Sequence, residues 1–237
     1  MCSEFGIREL RDIAKLIGSG RCETLTKQEL LVLITQKLGA LPSSPKYKVG
    51  AQIGNTGKDA KTFSVRDKDG NEYAMKTFKK NKSADRIEQE ANFQKRCASA
   101  GISPKIIDYD TQEKFIVMEK MEGHLYNIIE THQGLVSEKI QKQVLEIFKK
   151  LDKTGVFHGD ANIMNYMYKG GKIYIIDFGF SKEIDDALIK KLKTRTPNMD
   201  IMLLGFILKL KEMNCPPSSY SVLSKFVKKE KREELGI

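Results

Sequence analysis

Residues 156–180 read VFHGDANIMNYMYKGGKIYIIDFGF, and this stretch decides how the rest of the chain is interpreted. It carries Asp160 and Asn165 on a short polar segment. A turn at KGGK and an apolar strand pattern follow, and Asp177 then stands directly before Phe-Gly. Because the glycine pair predicts a tight turn, we expect the two carboxylates and the amide to lie close together.

These residue types are the ones that phosphoryl transfer from a nucleotide requires. One carboxylate positions the acceptor hydroxyl, while an amide oxygen and a second carboxylate hold Mg²⁺ against the phosphates. We therefore predict Asp160 as the catalytic residue, with Asn165 and Asp177 binding Mg²⁺ and the nucleotide. His158 is interpreted as a packing residue beside the strand that leads to Asp177.

The combination HGD-x-x-x-x-N with IDFG resembles the catalytic core of the protein-kinase-like superfamily. This resemblance implies an α+β class and a two-lobed kinase-like fold with the nucleotide in a cleft. Apolar periodicity agrees with the first lobe, because it predicts strands at 47–53, 61–66 and 72–78, a helix at 83–100, and strands at 106–109 and 114–119. From residue 123 onward the patterns are mainly helical, including a buried helix at 199–210.

We predict two domains. A helical module spans 1–41, with a capping box at Thr26 and Glu29, and the proline-bracketed linker LPSSP follows it. The kinase-like domain spans residues 46–237, divided into an N-lobe at 46–118, a hinge at 119–123 and a C-lobe at 124–237. The C-lobe is predicted to be compact, because an A-P-E motif is missing and few residues follow the IDFG motif before the next helix.

Lys76 lies in YAMKTF on the third predicted strand, where a kinase needs a lysine to reach the α- and β-phosphates. Such a lysine needs an acidic partner on the next helix, and Glu88 and Glu90 are the candidates. We choose Glu90, because QEANFQKRCASAGISPKI is similar to the helix-to-strand segment of small atypical kinases.

Two further segments are predicted to contact the nucleotide. In the run GAQIGNTGKDAKTF, the part GKDAKTF resembles the phosphate loop of the minimal kinase in the KEOPS complex, and Gly54 and Gly57 of the run are the predicted phosphate-loop residues. IVMEKMEG is similar to the segment that joins the lobes, so Met118 is expected behind the adenine, with backbone groups of Glu119 and Met121 at its edge.

Two residues depart from the usual kinase pattern, and three further residues of the C-lobe have predicted roles. Gly159 replaces the arginine that pairs with a phosphorylated activation segment, and Asn162 replaces a lysine that contacts the γ-phosphate. Asp200 in MDIMLLG resembles the buried aspartate that braces the catalytic loop. Thr194 and Thr196 are interpreted as solvated rather than as phosphorylation sites.

Together these motifs resemble the KEOPS-type and RIO-type atypical kinases, with small kinases of large DNA viruses as another similar group. The resemblance implies an ATP- and Mg²⁺-dependent kinase that acts on serine or threonine hydroxyls of proteins, including its own, or an ATPase. A small-molecule phosphotransferase is an alternative, although the C-lobe is short for its substrate pocket. Another alternative is a nucleotide-dependent scaffold that binds DNA or protein.

Residues 5–39 resemble a SAP-type helical module, which would imply DNA binding through residues 1–41. The chain carries a formal charge of +10, but residues 1–45 contribute only about +1, which is little for a surface that must neutralise phosphates. The alternative is a helical extension that packs on a lobe or on a protein partner.

The bulk composition is that of a globular protein. The 237 residues include four cysteines without a C-x-x-C pair, which fits a reducing compartment rather than a disulfide framework. No apolar run is long enough for a membrane span, so we expect no membrane association and a cytoplasmic or nuclear location. The sequence leaves the oligomeric state open.

Overall fold

The computed structural model describes residues 6–16, 23–38, 46–53 and 60–237. The chain divides into two compact units, residues 1–51 with 65–71 and residues 52–64 with 72–237. Gly54 and Gly57 of the predicted phosphate loop, and the predicted linker at 41–45, lie outside the described residues.

The N-terminal unit contains the helices α1 (Ile7–Leu16) and α2 (Lys27–Leu38). They pack through a small apolar core made by Leu10, Ala14, Leu30 and Ile34, all of them buried. The helical character and these inward faces agree with the periodicity of the sequence. The SAP-like resemblance and DNA binding by residues 1–41 stay predictions.

The start of α2 is a capping box, as predicted. The backbone N–H of Thr26 donates to Glu29 Oε2 at 2.8 Å, and the backbone N–H of Glu29 donates to Thr26 Oγ1 at 3.3 Å. This exchange satisfies amide groups that have no partner within the helix. The backbone N–H and the hydroxyl of Thr26 both donate to Glu29 Oε2, and these two bonds lower the pKa of Glu29.

Five strands precede the helical part of the chain, and they lie close to the predicted positions. Their bounds are β1 (Lys48–Gln52), β2 (Ala60–Arg66), β3 (Glu72–Phe78), β4 (Ile106–Asp110) and β5 (Phe115–Glu119). In the second unit the strand order is β2-β3-β5-β4, and β5 pairs antiparallel with both β3 and β4. Antiparallel pairing in this order places β3 in the sheet interior, where its apolar residues are covered.

The helix α3 (Ala84–Ser99) connects β3 to β4. Ser83 begins it as the N-cap, since its hydroxyl oxygen accepts the backbone N–H of Arg86 at 3.4 Å. One face of α3 packs against the sheet, where Ile87 and Ala91 join an apolar cluster with Ala74, Ile116 and Met118. The same face carries the buried polar residues of the candidate site.

Residues 124–237 form a helical lobe. Its helices are α4 (Leu125–Thr131), α5 (Glu138–Lys153), α6 (Asp186–Leu192), α7 (Leu203–Glu212), α8 (Ser221–Ser224) and α9 (Lys229–Leu235). The lobe has a core in which the rings of Phe148, Tyr166 and Phe206 meet edge to face, with centroids 4.9–6.3 Å apart. The mixed α+β kinase-like architecture predicted from the sequence is confirmed.

The helical lobe also contains short strands. They are β6 (Gly123–His124), β7 (Val156–Phe157), β8 (Tyr166–Lys169), β9 (Lys172–Ile175) and β10 (Lys182–Glu183). Of these the sequence predicted the apolar strand that follows the KGGK turn, β9, but not the others. Strands β6, β8 and β9 form one sheet, and β10 pairs antiparallel with β7. The hairpin of β8 and β9 holds the segment between the HGD and IDFG motifs in a tight turn.

The predicted buried helix at 199–210 is present with a different beginning. Residues Asn198–Met202 form a π-helical turn, and regular α-helix starts only at α7. Burial is also less complete than predicted, because Ile201 is exposed while Phe206, Ile207 and Leu210 are buried. None of the helices in the described ranges has the length and apolar character of a membrane span.

Gln141 on α5 makes three hydrogen bonds, two with the C-terminal segment and one with the residue before the N-cap of α5. Its Nε2 donates to the carbonyl oxygens of Val136 at 2.9 Å and Ser218 at 2.8 Å, and its Oε1 accepts the N–H of Val222 at 2.9 Å. The side chain is buried, so its amide depends on these three bonds in place of water.

Replacing Gln141 by leucine should therefore lower the free energy of unfolding by about 2–4 kcal/mol, because several buried polar groups lose their partners at once. Urea denaturation followed by circular dichroism measures the change. The neighbouring exposed change Lys142→Leu is the control, with an expected effect below about 0.5 kcal/mol. Equal denaturation midpoints for the two variants would contradict the assignment.

Candidate active site

The centre of the site is an ion-pair cluster around Lys76. Its Nζ lies 2.5 Å from Glu90 Oε1 and 2.9 Å from Asp177 Oδ1. These residues come from β3, from α3 and from the segment after β9. Glu90 is 2% exposed, whereas Glu88 is exposed to solvent, so the structure pairs Lys76 with Glu90.

The cluster stabilises the charged forms of Lys76 and Asp177. Burial disfavours the ammonium of Lys76, but the charges of Glu90 and Asp177 outweigh this effect and raise its pKa. Burial also works against the carboxylate of Asp177, yet Lys76 outweighs it and lowers the pKa of Asp177. Both groups are therefore charged at neutral pH, as contact with phosphates and a metal ion requires.

The backbone around Asp177 aims its side chain into the site. Asp177 has φ +66° and ψ +74°, a left-handed conformation that is uncommon outside glycine. It caps the short 3₁₀ turn Phe178–Phe180, with Oδ1 near the N–H of Gly179 at 3.4 Å. A Cβ at Gly179 would lie 3.3 Å from both Asp177 Oδ1 and Glu90 Oε2, so glycine permits this close approach.

Asp160 and Asn165 are joined directly. Asn165 Nδ2 donates to Asp160 Oδ2 at 2.8 Å, and Asp160 Oδ1 accepts the N–H of Asn162 at 3.1 Å. Asn162 in turn caps the 3₁₀ turn Ile163–Asn165, because its Oδ1 accepts the N–H of Met164 at 3.0 Å. Asn162 thus helps to orient Asn165, a role that the sequence did not reveal.

The oxygen atoms offered by Asn165 and Asp177 fit Mg²⁺. The hydrogen bond to Asp160 uses the amide nitrogen of Asn165, which leaves Oδ1 as the atom that a metal would bind. Asp177 is 45% exposed although its Oδ1 accepts from Lys76. An amide oxygen and a carboxylate are hard ligands, and Mg²⁺ binds such oxygens together with phosphates and water.

His158 and Gly159 hold the catalytic loop against the IDFG segment. The ring of His158 is fully buried, with Nδ1 3.1 Å from the carbonyl oxygen of Asp160 and Nε2 3.0 Å from that of Ile176. Burial lowers its pKa. Gly159 has φ +80°, and a Cβ there would lie 3.0 Å from the carbonyl oxygen of Phe180, so a larger residue is disfavoured.

Asn198, rather than Asp200, braces the catalytic loop, and the expectation for Asp200 was wrong. Asn198 is fully buried, and its Oδ1 accepts the N–H of His158 at 3.1 Å. Its Nδ2 donates to Asp152 Oδ1 at 2.7 Å and to the carbonyl oxygen of Val156 at 2.8 Å. An amide supplies the donor and the acceptor that this position needs, and a carboxylate supplies acceptors only.

Asp200 is exposed and lies two residues further along the π-helical turn. Its Oδ2 accepts hydrogen bonds from the hydroxyl groups of Thr194 and Thr196. These two threonines therefore have a local structural partner. Asp152 accepts the N–H of Asn198 and of Met199, and its burial raises its pKa against the effect of those bonds.

The predicted hinge residues lie at the end of β5. Met118 is buried, and Gln94 Nε2 approaches its sulfur at 3.4 Å. The backbone N–H of Glu119 donates to the carbonyl oxygen of Lys105 at 2.9 Å, and its carboxylate accepts from Lys169 at 2.6 Å. The hydrogen bond from Lys169 lowers the pKa of Glu119, and this effect outweighs burial, which raises it. Met121 follows and is half-buried.

The comparisons with known proteins agree with this geometry. The profile of the protein kinase domain matches residues 47–198. The KEOPS complex subunit Bud32 of Pyrococcus abyssi is 33% identical over 106 residues, which is 44% of this chain and 48% of that protein. The probable serine/threonine-protein kinase BUD32 homolog of Archaeoglobus fulgidus is 28% identical over 109 residues, covering 46% of this chain and 52% of that protein.

A third relative is the probable bifunctional tRNA threonylcarbamoyladenosine biosynthesis protein of Methanocorpusculum labreanum. It is 26% identical over 133 residues, which is 52% of this chain and 24% of that protein. The chain thus spans about half the length of the first two relatives and less of the third.

Asn198→Asp should destabilise the protein by about 3 kcal/mol or more, because two buried hydrogen bonds lose their donor and a second carboxylate faces Asp152. Thermal or urea unfolding measures the loss. Adding Asp152→Asn should recover part of it, since an amide then faces the new carboxylate. Asn127→Asp, on the exposed side of α4, is the control, and an equal effect there would refute the bracing role.

Gly205→Ala should shift the catalytic loop. A Cβ on Gly205 would lie 2.7 Å from Cβ of Ala161, which stands between Asp160 and Asn162. We expect a loss of stability of about 1–3 kcal/mol from this overpacking, measured by urea denaturation. The double variant with Ala161→Gly removes the opposing methyl group and should regain most of the loss. No recovery would show that the strain arises elsewhere.

Proposed function

This chain belongs to the protein kinase family, and we propose that it is an ATP- and Mg²⁺-dependent kinase for serine and threonine hydroxyls of proteins, its own included. The observation that supports this proposal is a complete set of chemical groups in one arrangement. Lys76 is paired with Glu90 and Asp177, and Asp160 is bonded to Asn165. A kinase that had lost its activity would not be expected to keep all of these groups in contact.

Each residue has a distinct task in the proposed reaction. The ammonium of Lys76 contacts the α- and β-phosphates and Glu90 keeps it in place. Asn165 and Asp177 would hold Mg²⁺, which neutralises charge on the phosphates when bound. Asp160 accepts a hydrogen bond from the substrate hydroxyl and orients it toward the γ-phosphorus.

Transfer then forms one bond and breaks one bond. The substrate oxygen bonds to the γ-phosphorus, while the bond from this phosphorus to the β–γ bridging oxygen breaks and ADP leaves with that electron pair. The hydroxyl proton passes to the carboxylate of Asp160. The hydrogen bond from Asn165 to Oδ2 and the backbone N–H of Asn162 on Oδ1 keep this carboxylate oriented toward the acceptor.

We further propose that the substrate is a protein that binds the kinase as a partner. The name of the Pyrococcus relative describes a subunit of a complex, and that of the Archaeoglobus relative a serine/threonine kinase. In this chain the segment between Gly179 and α7 is short, and Thr194 and Thr196 engage Asp200. A short segment of this kind offers little surface for a free peptide, so recognition through a partner interface is favoured.

The test is incubation of the full chain with γ-labelled ATP, Mg²⁺ and a generic basic protein. Asp160→Ala should lower label transfer by about 10²- to 10⁴-fold, because it removes the group that orients the hydroxyl. Asp69→Ala, in the exposed turn before β3, is the matched control and should transfer at the wild-type rate. Hydrolysis of ATP without transfer to protein would favour an ATPase. Absence of both reactions in wild type would overturn the proposal.

A further inference from the structure

One oxygen of the Glu90 carboxylate is engaged and the other is not. Oε1 accepts a hydrogen bond from Lys76, whereas Oε2 is buried and makes no hydrogen bond with any described residue. A buried carboxylate oxygen without a partner costs free energy, because water solvates it in the unfolded chain. The position of Glu90 therefore depends on whichever positive charge lies near Oε2.

Lys82 supplies that charge. Its Nζ lies 3.8 Å from Glu90 Oε2, within the range of an ion pair, and its side chain is only 17% exposed. The ring of Phe78 adjoins both ammonium groups, with its centroid 5.3 Å from Nζ of Lys76 and 5.6 Å from Nζ of Lys82. A cation beside an aromatic ring is further stabilised by the electrons of the ring. The two lysines thus flank Phe78 and Glu90 together.

The backbone that carries Lys82 is held in place. Its N–H donates to the carbonyl oxygen of Lys79 at 3.0 Å. The ammonium of Lys114 donates to the carbonyl oxygen of Lys80 and, at 2.8 Å, to that of Lys82. The next residue, Ser83, begins α3 as its N-cap. Lys82 is therefore fixed at the beginning of the helix that carries Glu90, unlike a lysine on a free surface loop.

Lys82 also balances the charges of the cluster. Lys76 alone carries one positive charge against the two carboxylates of Glu90 and Asp177. With Lys82 the four groups are neutral before any metal ion binds. Since the phosphates of a nucleotide are anionic, a neutral cluster opposes their approach less than a negative one does.

We propose that Lys82 is a positioning residue of this site, which holds Glu90 through Oε2 and keeps α3 in place while Lys76 contacts the phosphates. The inference rests on the proposed kinase function for its catalytic consequence. Its structural part, the coupling of Lys82 to Glu90, does not depend on that function. No phosphate contact by Lys82 itself is required.

Lys82→Met removes the charge and keeps most of the side-chain length. It should lower kcat for phosphate transfer by about tenfold, with a smaller change in KM for ATP, because the group lost acts on Glu90 and not on the substrate. Lys82→Arg should retain most of the activity. Lys80→Met, two residues earlier and exposed, is the matched control and should behave as wild type.

The deciding experiment repeats these substitutions in a Glu90→Gln background. If Lys82 acts through Glu90, Lys82→Met should have little further effect there, on kcat and on the unfolding midpoint measured without nucleotide. Equal effects in both backgrounds would overturn the inference, as would wild-type behaviour of Lys82→Met. If wild type transfers no phosphate, the kinase proposal fails, and the unfolding midpoints of wild type, Lys82→Met, Glu90→Gln and the double variant still decide the coupling. A variant too unstable to assay is replaced by Lys82→Gln.

Discussion

The buried ammonium of Lys76 is the group on which the arrangement of the site depends. It draws together a strand of the sheet, the helix α3 and the segment after β9, because Glu90 and Asp177 each place a carboxylate oxygen within 2.9 Å of it. An ammonium that is only 14% exposed is stable in its charged form only with such partners. Removal of either carboxylate would therefore weaken the contact of Lys76 with one of these elements and change the positions of the other site residues.

A second set of hydrogen bonds, made by buried residues, holds the catalytic loop in place. Asn198 and His158 bond to each other and to carbonyl oxygens on both sides of the loop, and each is completely buried. The loop is thus positioned by two buried side chains that bond to backbone groups, and Asp160 stays partly exposed. Close packing of Gly205 on Ala161 completes the support.

Most of the fold, and part of the site, could be predicted from local patterns in the sequence. Strands β3 and β5, the capping box at Thr26 and the pairing partner of Lys76 depend on alternation, capping chemistry or a recognised motif, all of which lie in short stretches of sequence. The role of Asn198 could not be predicted, because it depends on Asp152, a residue on a different helix. The two-residue strands β7 and β10 have too few side chains to show any periodicity.

Position 159 has no arginine, and other contacts hold the segment after the IDFG motif. In kinases of the usual pattern that arginine pairs with a phosphate on this segment. Here the backbone N–H of Ile184 donates to the carbonyl oxygen of Gly155 at 2.8 Å, next to the β7–β10 pair. Arg96 of α3 donates to Glu183 and, at 2.5 Å, to the carbonyl oxygen of Thr154. Arg96 therefore connects the helix that carries Glu90 to β10 and to the residues just before β7. These contacts need no added phosphate, so the unmodified chain itself supplies the groups that hold the segment after the IDFG motif.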